Sequence, residues 1–172
     1  MSNNLIEIRD LCVAFSGQTV VRNLCLDIRP GECLALVGES GSGKSVTAHS
    51  ILQLLPETGT DTRGSIRYRG KELLGASSTA LRELRGNRIA MIFQEPMSSL
   101  NPLHSVEKQI GETLLLHKGL TGKAAQARIL ELLHLVGIQK PQERLKAYPH
   151  QLSGGQRQRV MIAMALACEP EL

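Results

Sequence analysis

Apolar positions in the first half of the chain follow the patterns of β-strands. Residues 5–14 and 19–28 are β-prone stretches on either side of a short turn at 16–18, so we predict an antiparallel hairpin. Residues 33–37, CLALV, are apolar at every position, as is typical of a strand covered on both faces. Residues 88–93, RIAMIF, are a second candidate of this kind. We therefore expect two buried strands in a central sheet.

Helical periodicity predicts most of the remaining elements. The helix after a glycine-rich turn runs from Lys44 to Leu55 and stops before Pro56. Residues 57–64 are polar and turn-rich and lead into a short strand at 65–69. Further helices are predicted over residues 79–84, 106–116, 124–136 and 142–147, and from Ser153 towards Pro170. The predicted fold class is α/β, with a mixed sheet around the glycine-rich loop, an amino-terminal antiparallel β subdomain and a helical subdomain.

Composition restricts the broad class of protein. With 172 residues, 42% of them hydrophobic, the chain can bury one core. The longest apolar run, Val160–Cys168, is far shorter than the roughly 18 residues of a membrane-spanning helix. The amino terminus has no basic segment followed by an apolar one, so we expect no secretion signal and a cytoplasmic location.

Charges, cysteines and histidines do not predict a site. The net charge of +4 is spread along the chain, and aromatic residues make up 2% with no Trp, so no nucleic-acid partner is expected. The five histidines are scattered, which favours packing or helix-surface roles over metal binding. The cysteines have no Cys-x-x-Cys spacing and lie in apolar segments, so we expect buried free thiols. They are Cys12, Cys25, Cys33 and Cys168.

The glycine-rich segment between a predicted strand and a predicted helix carries the clearest chemistry. Residues 38–45, GESGSGKS, fit the pattern of a glycine, four further residues and then Gly-Lys-Ser. Gly41 and Gly43 let the backbone curl, so that successive N–H groups face a phosphate at the positive end of the following helix. Lys44 offers an ammonium group to the β and γ phosphates, and Ser45 offers a hydroxyl to Mg²⁺. The alternative is an ordinary glycine turn, which the flanking strand and helix argue against.

A second glycine pair begins the last predicted helix. Ser153, Gly154 and Gly155 place a hydroxyl and bare amides at the helix start, where they form another anion cradle. The alternative is a capped helix with glycines for close packing. LSGGQRQRV at 152–160 follows GESGSGKS with a helical insert between them, and this order resembles ATP-binding cassette (ABC) proteins. The resemblance implies that the second cradle closes on ATP held by the phosphate loop of another subunit.

The resemblance also assigns roles outside the two cradles. Gln94, directly after RIAMIF, matches the glutamine of the family that contacts Mg²⁺ and the attacking water and signals to the membrane subunit. Phe15 falls where the family stacks an aromatic ring on adenine, and a core position in an edge strand is the alternative. Catalytic roles are thus implied for Lys44 and Gln94, and Mg²⁺ contacts for Ser45 and Gln94. The implied ATP-binding residues are Phe15, Gly38, Ser40, Gly41, Ser42, Gly43, Lys44, Ser45, Val46, Ser153, Gly154, Gly155 and Gln156.

Two longer segments narrow the resemblance. QEPMSSLNPLHSV at 94–106 and YPHQLSGGQRQRVMIAMAL at 148–166 are similar to the ATPase subunits of bacterial dipeptide and oligopeptide importers, a group with nickel-importing relatives. The implied partners are a second cassette, transmembrane permease subunits and, indirectly, a periplasmic solute-binding protein. The implied location is peripheral, on the cytoplasmic face of the inner membrane. The implied organisation is one nucleotide-binding domain at 1–172, with a β-rich core at 1–94, a helical subdomain at 95–152 and a signature helix at 153–168.

One feature of the family does not occur in this sequence. Family cassettes continue into an apolar strand that ends in Asp and Glu, followed by a switch histidine, whereas no Asp follows Asp61 and no His follows His150 here. We expect the 172-residue chain alone to bind ATP weakly, to hydrolyse it negligibly and to be prone to aggregation. A nucleotide-binding module without hydrolysis is therefore one alternative. A soluble ABC protein acting on nucleic acid or ribosomes is another, and LSGGQ argues against a third, a small phosphotransferase.

Overall fold

The computed structural model describes residues 4–93 and 99–172. They form two compact units, and the division falls between Leu81 and Arg82. The first unit is built on a β-sheet and the second on helices, which confirms the predicted α/β class. The internal boundaries predicted at residues 94 and 152 stay predictions.

An antiparallel sheet of four strands forms the first unit. The strands are β1 (Ile6–Phe15), β2 (Gln18–Ile28), β3 (Thr60–Tyr68) and β4 (Lys71–Glu72), in the order β2-β1-β3-β4. The predicted hairpin is confirmed, since β1 and β2 pair antiparallel from Ile6 opposite Ile28 to Phe15 opposite Gln18. The prediction that residues 57–64 form turns is wrong from Thr60 onwards, because β3 begins there and pairs with β1. That pairing is non-local and leaves no mark in the polar sequence of the segment.

A bulge changes the phase of the buried positions in β1. The buried apolar side chains of this strand are Ile6, Ile8, Leu11 and Val13. The step of three between Ile8 and Leu11 is accommodated by Asp10, whose φ of 49° is left-handed. On β3, a Cβ at Gly64 would lie 2.6 Å from the Asp10 carbonyl oxygen, so only glycine fits opposite the bulge. The bulge thus keeps both apolar pairs on the buried face of one strand.

Helices and their shared core dominate the second unit. The α-helices among the described residues are α1 (Lys44–Ile51), α2 (Ser78–Leu84), α3 (Val106–Lys118), α4 (Gly122–Leu135), α5 (Pro141–Arg144) and α6 (Gly154–Leu166). Apolar residues at helical spacing in α3, α4 and α6 meet in one core, which includes Val106, Ile110, Leu114, Ile129, Leu132, Leu133, Val160 and Ala163. Of the predicted helices, α1 ends four residues early because Gln53 adopts a left-handed φ of 51° just after it.

The two predicted central strands are not formed among the described residues. Residues 33–37 pair with no described strand, and Leu34, Leu36 and Val37 are 40%, 41% and 85% exposed. In 88–93, Ile89 is buried, but Ile92 and Phe93 are 51% and 46% exposed. At the start of this segment the Ala90 N–H donates to the Leu172 carbonyl at 2.8 Å. The predictions of buried strands and of a mixed sheet around the loop are therefore wrong here, because a strand forms only where a neighbouring strand satisfies its backbone.

Cysteine burial also departs from the prediction. Cys168 is buried, and desolvation raises the pKa of its thiol. Cys12 is half-buried, while Cys25 and Cys33 are exposed, so the expectation of buried thiols is wrong for these two. Cys25 lies on the exposed face of β2, and Cys33 lies in the unpaired segment 33–37. Across residues 4–93 and 99–172, no helix combines the length and apolar character needed to cross a bilayer.

Candidate functional site

The glycine-rich loop leads directly into α1 through two left-handed glycines. Gly41 has φ 82° and Gly43 has φ 89°, a conformation that other residues rarely adopt. Gly43 is also packed tightly, because a Cβ there would lie 3.0 Å from Val21 Cγ2 and 3.1 Å from the Val20 carbonyl oxygen. Strand β2 therefore acts as a wall behind the loop. This close approach explains a glycine at position 43 independently of any ligand.

The side chain of Lys44 folds back over the loop. Its ammonium donates to the carbonyl oxygens of Gly38 at 2.8 Å and Glu39 at 2.6 Å. It also lies 3.3 Å from Ser42 Oγ. Within the described part of the chain, no carboxylate lies within ion-pair distance of Lys44. The loop thus holds a positive charge that its own acidic residue, Glu39, contacts only through the backbone.

The amino-terminal end of α1 leaves backbone donors facing the loop. Gly43 is the N-cap and has no side chain to accept from the first turn. Thr47 is the first residue to bond inside the helix, with its N–H and Oγ1 donating to the Gly43 carbonyl at 2.8 and 3.0 Å. The N–H groups of Lys44, Ser45 and Val46 precede that bond, at the positive end of the helix dipole. An anion with several oxygen atoms suits such an end, and the exposed Ser45 hydroxyl is of the oxygen type that Mg²⁺ prefers.

The second predicted cradle is a well-formed helix cap. Ser153 Oγ accepts from the Gln156 N–H at 3.2 Å, and Gln156 Oε1 accepts from the Ser153 N–H at 3.0 Å. This reciprocal pair is a capping box, so the prediction that Ser153 caps the helix is confirmed. Gly154 and Gly155 have open space where a Cβ would stand, since nothing lies within 4 Å of it. Close packing within this chain therefore does not explain these two glycines.

A cavity opens beside this cap. It has a volume of about 280 Å³, and its lining residues are Gly137, Ile138, Gln139, Ser153, Gly155, Gln156 and Arg159. The first turns of α6 supply one wall, and the segment after α4 supplies the other. Arg159 crosses between the walls, because its Nη1 donates to the Gly137 carbonyl at 2.5 Å. The space beside the bare amides thus also contains a guanidinium group.

The remaining predicted site residues have less structural context. Phe15 is the last residue of β1 and is half-buried, so its adenine-stacking role stays a prediction. Gln94 lies outside the described residues, so its predicted roles in Mg²⁺ binding and catalysis stay predictions. Ser40 and Ser42 are exposed on the phosphate loop, and Val46 is half-buried in the first turn of α1. Over the described ranges, no group of three His, Cys, Asp or Glu side chains is arranged to hold a metal ion.

Two features of these cradles were missed in the sequence. Thr47 is one of the few buried polar residues in the described part of the chain. Its two hydrogen bonds to the Gly43 carbonyl fix the start of α1. Its position one turn after the glycine is a readable signal, because a threonine hydroxyl can bond back to the carbonyl four residues earlier. Arg159 was also missed, although it lies three residues after Gln156 on the same helix face. Its partner, Gly137, is distant in sequence and could not be read from a pattern.

Comparison with known proteins places these cradles in a family. The sequence profile described as "ABC transporter" matches residues 21–172. The chain is 60% identical to the peptidoglycan transport ATP-binding protein YejF of Agrobacterium fabrum, over 98% of this chain and 32% of that protein. It is 50% identical to the dipeptide transport ATP-binding protein DppD of Bacillus subtilis, over 98% of this chain and 52% of that protein. The chain thus spans about a third of the length of the first relative and about half of the length of the second.

A solved structure shows the same fold. The bacterial ABC transporter cassette MJ0796, determined as a dimer, superposes with a TM-score of 0.82 at 28% identity. The match covers 96% of this chain and 70% of that one. The resemblance inferred from GESGSGKS and LSGGQ is therefore confirmed by sequence and by fold. The chain belongs to the ABC transporter family.

Proposed function

We propose that this chain is the ATP-binding part of a bacterial ABC importer for peptides, in which ATP binding and hydrolysis drive transport across the membrane. The observation that carries the proposal is the Lys44 ammonium, which loop carbonyls hold at the start of an uncapped helix. The two curated relatives described above support the substrate class, since their names assign them peptidoglycan and dipeptide transport.

ATP would be held at the phosphate loop by this chain's own groups. The backbone N–H groups at the start of α1 would bind the phosphate oxygens, and Lys44 would exchange its loop carbonyls for the β and γ phosphates. Ser45 and Gln94 would bind Mg²⁺, which supplies neutralisation of phosphate charge when it is bound. The ring of Phe15 would stack on adenine.

A second cassette would complete the site. The open space over Gly154 and Gly155 supports close approach of a ligand to the backbone at the start of α6. We propose that this cradle contacts ATP held by the phosphate loop of a partner cassette. The dimeric state of the solved cassette supports the arrangement. Each nucleotide would then join two chains and favour their closed state over the open state.

The proposed partners place the protein at a membrane. Closure of two cassettes would move permease subunits, and these would receive peptides from a periplasmic solute-binding protein. The chain would then be peripheral, on the cytoplasmic face of the inner membrane. Purification of the chain from membranes, with and without detergent, tests this proposal. Permease proteins should copurify with the chain. Copurification with ribosomes or DNA and no permease would contradict it and support a soluble ABC protein.

Nucleotide binding is tested with Lys44→Ala and a matched lysine. Titration with a fluorescent ATP analogue and Mg²⁺ should show saturable binding to the unmodified chain. Lys44→Ala should weaken that binding by about tenfold or more, because a charge-assisted contact to phosphate is lost. Lys71→Ala, in the exposed strand β4, should bind as the unmodified chain does. Equal binding by all three proteins would contradict the proposed site.

A further inference from the structure

Arg159 links the first turns of α6 to the end of α4. Its guanidinium donates from Nη1 to the Gly137 carbonyl at 2.5 Å. The contact is close enough to restrict both residues, because a Cβ on Gly137 would lie 3.1 Å from the same nitrogen. Gly137 also has φ 75°, so a side chain there would be strained as well as crowded.

The acceptor end of this link is rigid. Gly137 and Ile138 close α4 with two backbone bonds, from Gly137 N–H to the His134 carbonyl and from Ile138 N–H to the Leu133 carbonyl, each 2.9 Å. This pattern is a Schellman motif, and both Leu133 and Ile138 are buried in the core of the unit. The Gly137 carbonyl thus projects from a fixed position at the negative end of a helix, which suits a guanidinium.

The donor of this bond, Arg159, lies on α6 beside the second predicted anion cradle, which Ser153, Gly154 and Gly155 form and which we call the signature cradle. Gly155 and Gln156 lie four and three residues before Arg159, so all three share one face of α6. All three also line the cavity of about 280 Å³ beside the Ser153 cap. The Gln156 side chain is turned back onto the Ser153 N–H and does not reach across this cavity. Among the residues described around the cavity, Arg159 makes a side-chain hydrogen bond that joins its two walls.

We infer that Arg159 is a positioning residue for the signature cradle, acting through the rigid end of α4. The inference rests on the proposed function, in which Ser153, Gly154 and Gly155 contact ATP held by a partner cassette. Arg159 would fix the angle at which the backbone N–H groups of Gly154 and Gly155 face that nucleotide. Because Arg159 is itself exposed, its bond adds little to the folded state of the isolated chain. Its loss should therefore affect association of two copies more than folding.

The test compares four forms of the full-length protein by sedimentation velocity with and without ATP and Mg²⁺. The unmodified protein should associate when ATP is added. Arg159→Met, which keeps the aliphatic stem but no donor, should weaken this association by about tenfold. Arg159→Lys keeps a charge and a donor and should stay within about threefold of the unmodified protein. Gln158→Ala changes an exposed neighbour that does not line the cavity, and it should have no effect.

Two further measurements separate positioning from a purely structural role. Thermal unfolding and binding of a fluorescent ATP analogue to the single chain should be the same for Arg159→Met and the unmodified protein. If Arg159→Met loses thermal stability and single-chain binding in step with association, the positioning role is overturned. Normal association of Arg159→Met overturns it too. Failure of the unmodified protein to associate with ATP would instead overturn the proposed two-cassette site, and this inference with it.

Discussion

Individual glycines in the phosphate loop are required for different physical reasons, and Gly43 provides a test at the scale of one residue. Gly43→Ala adds a Cβ 3.0 Å from Val21 Cγ2 and 3.1 Å from the Val20 carbonyl, in addition to strain at φ 89°. Gly31→Ala is the matched control, because its φ of 75° is similar but nothing lies within 4 Å of the new Cβ. Thermal unfolding should show a loss of about 1 kcal/mol for the control and a larger loss for Gly43→Ala. Equal losses would contradict the conclusion that packing against β2 requires glycine at position 43.

Glu72 gives the first unit a pH dependence of known sign. Burial alone would raise the pKa of Glu72, but hydrogen bonds from the Ser65 hydroxyl and the N–H groups of Ile66 and Leu74 outweigh it and hold the pKa below 4.5. A carboxyl group with a lowered folded-state pKa stabilises the fold above its unfolded-state pKa. That stabilisation is lost as the pH falls through the folded-state pKa.

Glu72→Gln tests this dependence by thermal unfolding at a series of pH values. At pH 7 the variant should unfold about 2 °C below the unmodified chain, because the ionised acceptor is lost at a partly exposed site. The difference should close as the pH falls through the lowered folded-state pKa of Glu72, below which the carboxyl group is protonated in both states. Glu83→Gln, on the exposed surface of α2, should show no such pH-dependent difference. A gap for Glu72→Gln that stays constant with pH would contradict the assignment.

Helices and strands differed in how well the sequence predicted them, and the reason lies in where their hydrogen bonds go. A helix satisfies its backbone locally, so the period of apolar residues in α3, α4 and α6 was enough to locate them. The hairpin of β1 and β2 was equally readable because a short turn joins its partners. Residues 33–37 and 88–93 have strand composition, but composition alone does not pair a strand. Their prediction as strands failed because a strand also needs a partner strand, which can come from a distant part of the sequence.

The candidate site divides in the same way. The positions of Lys44 at the start of α1 and of Ser153 as the cap of α6 followed from spacing, because both depend on a few consecutive residues. The wall that Val20 and Val21 form behind Gly43 connects distant parts of the sequence. The same is true of the bond between Arg159 and Gly137. Such contacts depend on tertiary packing, and no motif in the sequence encodes them.

Exposed apolar side chains bear on how the chain behaves as a whole in solution. Leu34, Leu36 and Val37 form one exposed apolar segment in the first unit, and Ile92 and Phe93 form another in the second. Runs of exposed apolar side chains promote association between chains, most of all where the backbone belongs to no sheet, as in residues 33–37. Isolated exposed residues such as Leu135, 69% exposed at the end of α4, are ordinary in proteins. Self-association should therefore depend on the two segments and not on total apolar exposure.

Charge substitutions test whether self-association depends on the two segments or on total apolar exposure when the 172-residue chain is studied alone. Sedimentation velocity at increasing concentration should show association of the unmodified chain, and Leu36→Lys combined with Ile92→Lys should reduce it. Because both side chains are exposed, the unfolding midpoint should change by only about 1 °C. Leu135→Lys combined with Leu103→Lys adds the same two charges at exposed positions outside the two segments and should leave association unchanged. A chain that stays monomeric without any substitution would show that the segments are not adhesive. Equal effects of all the lysines would attribute the change to net charge, since added charge alone also opposes association.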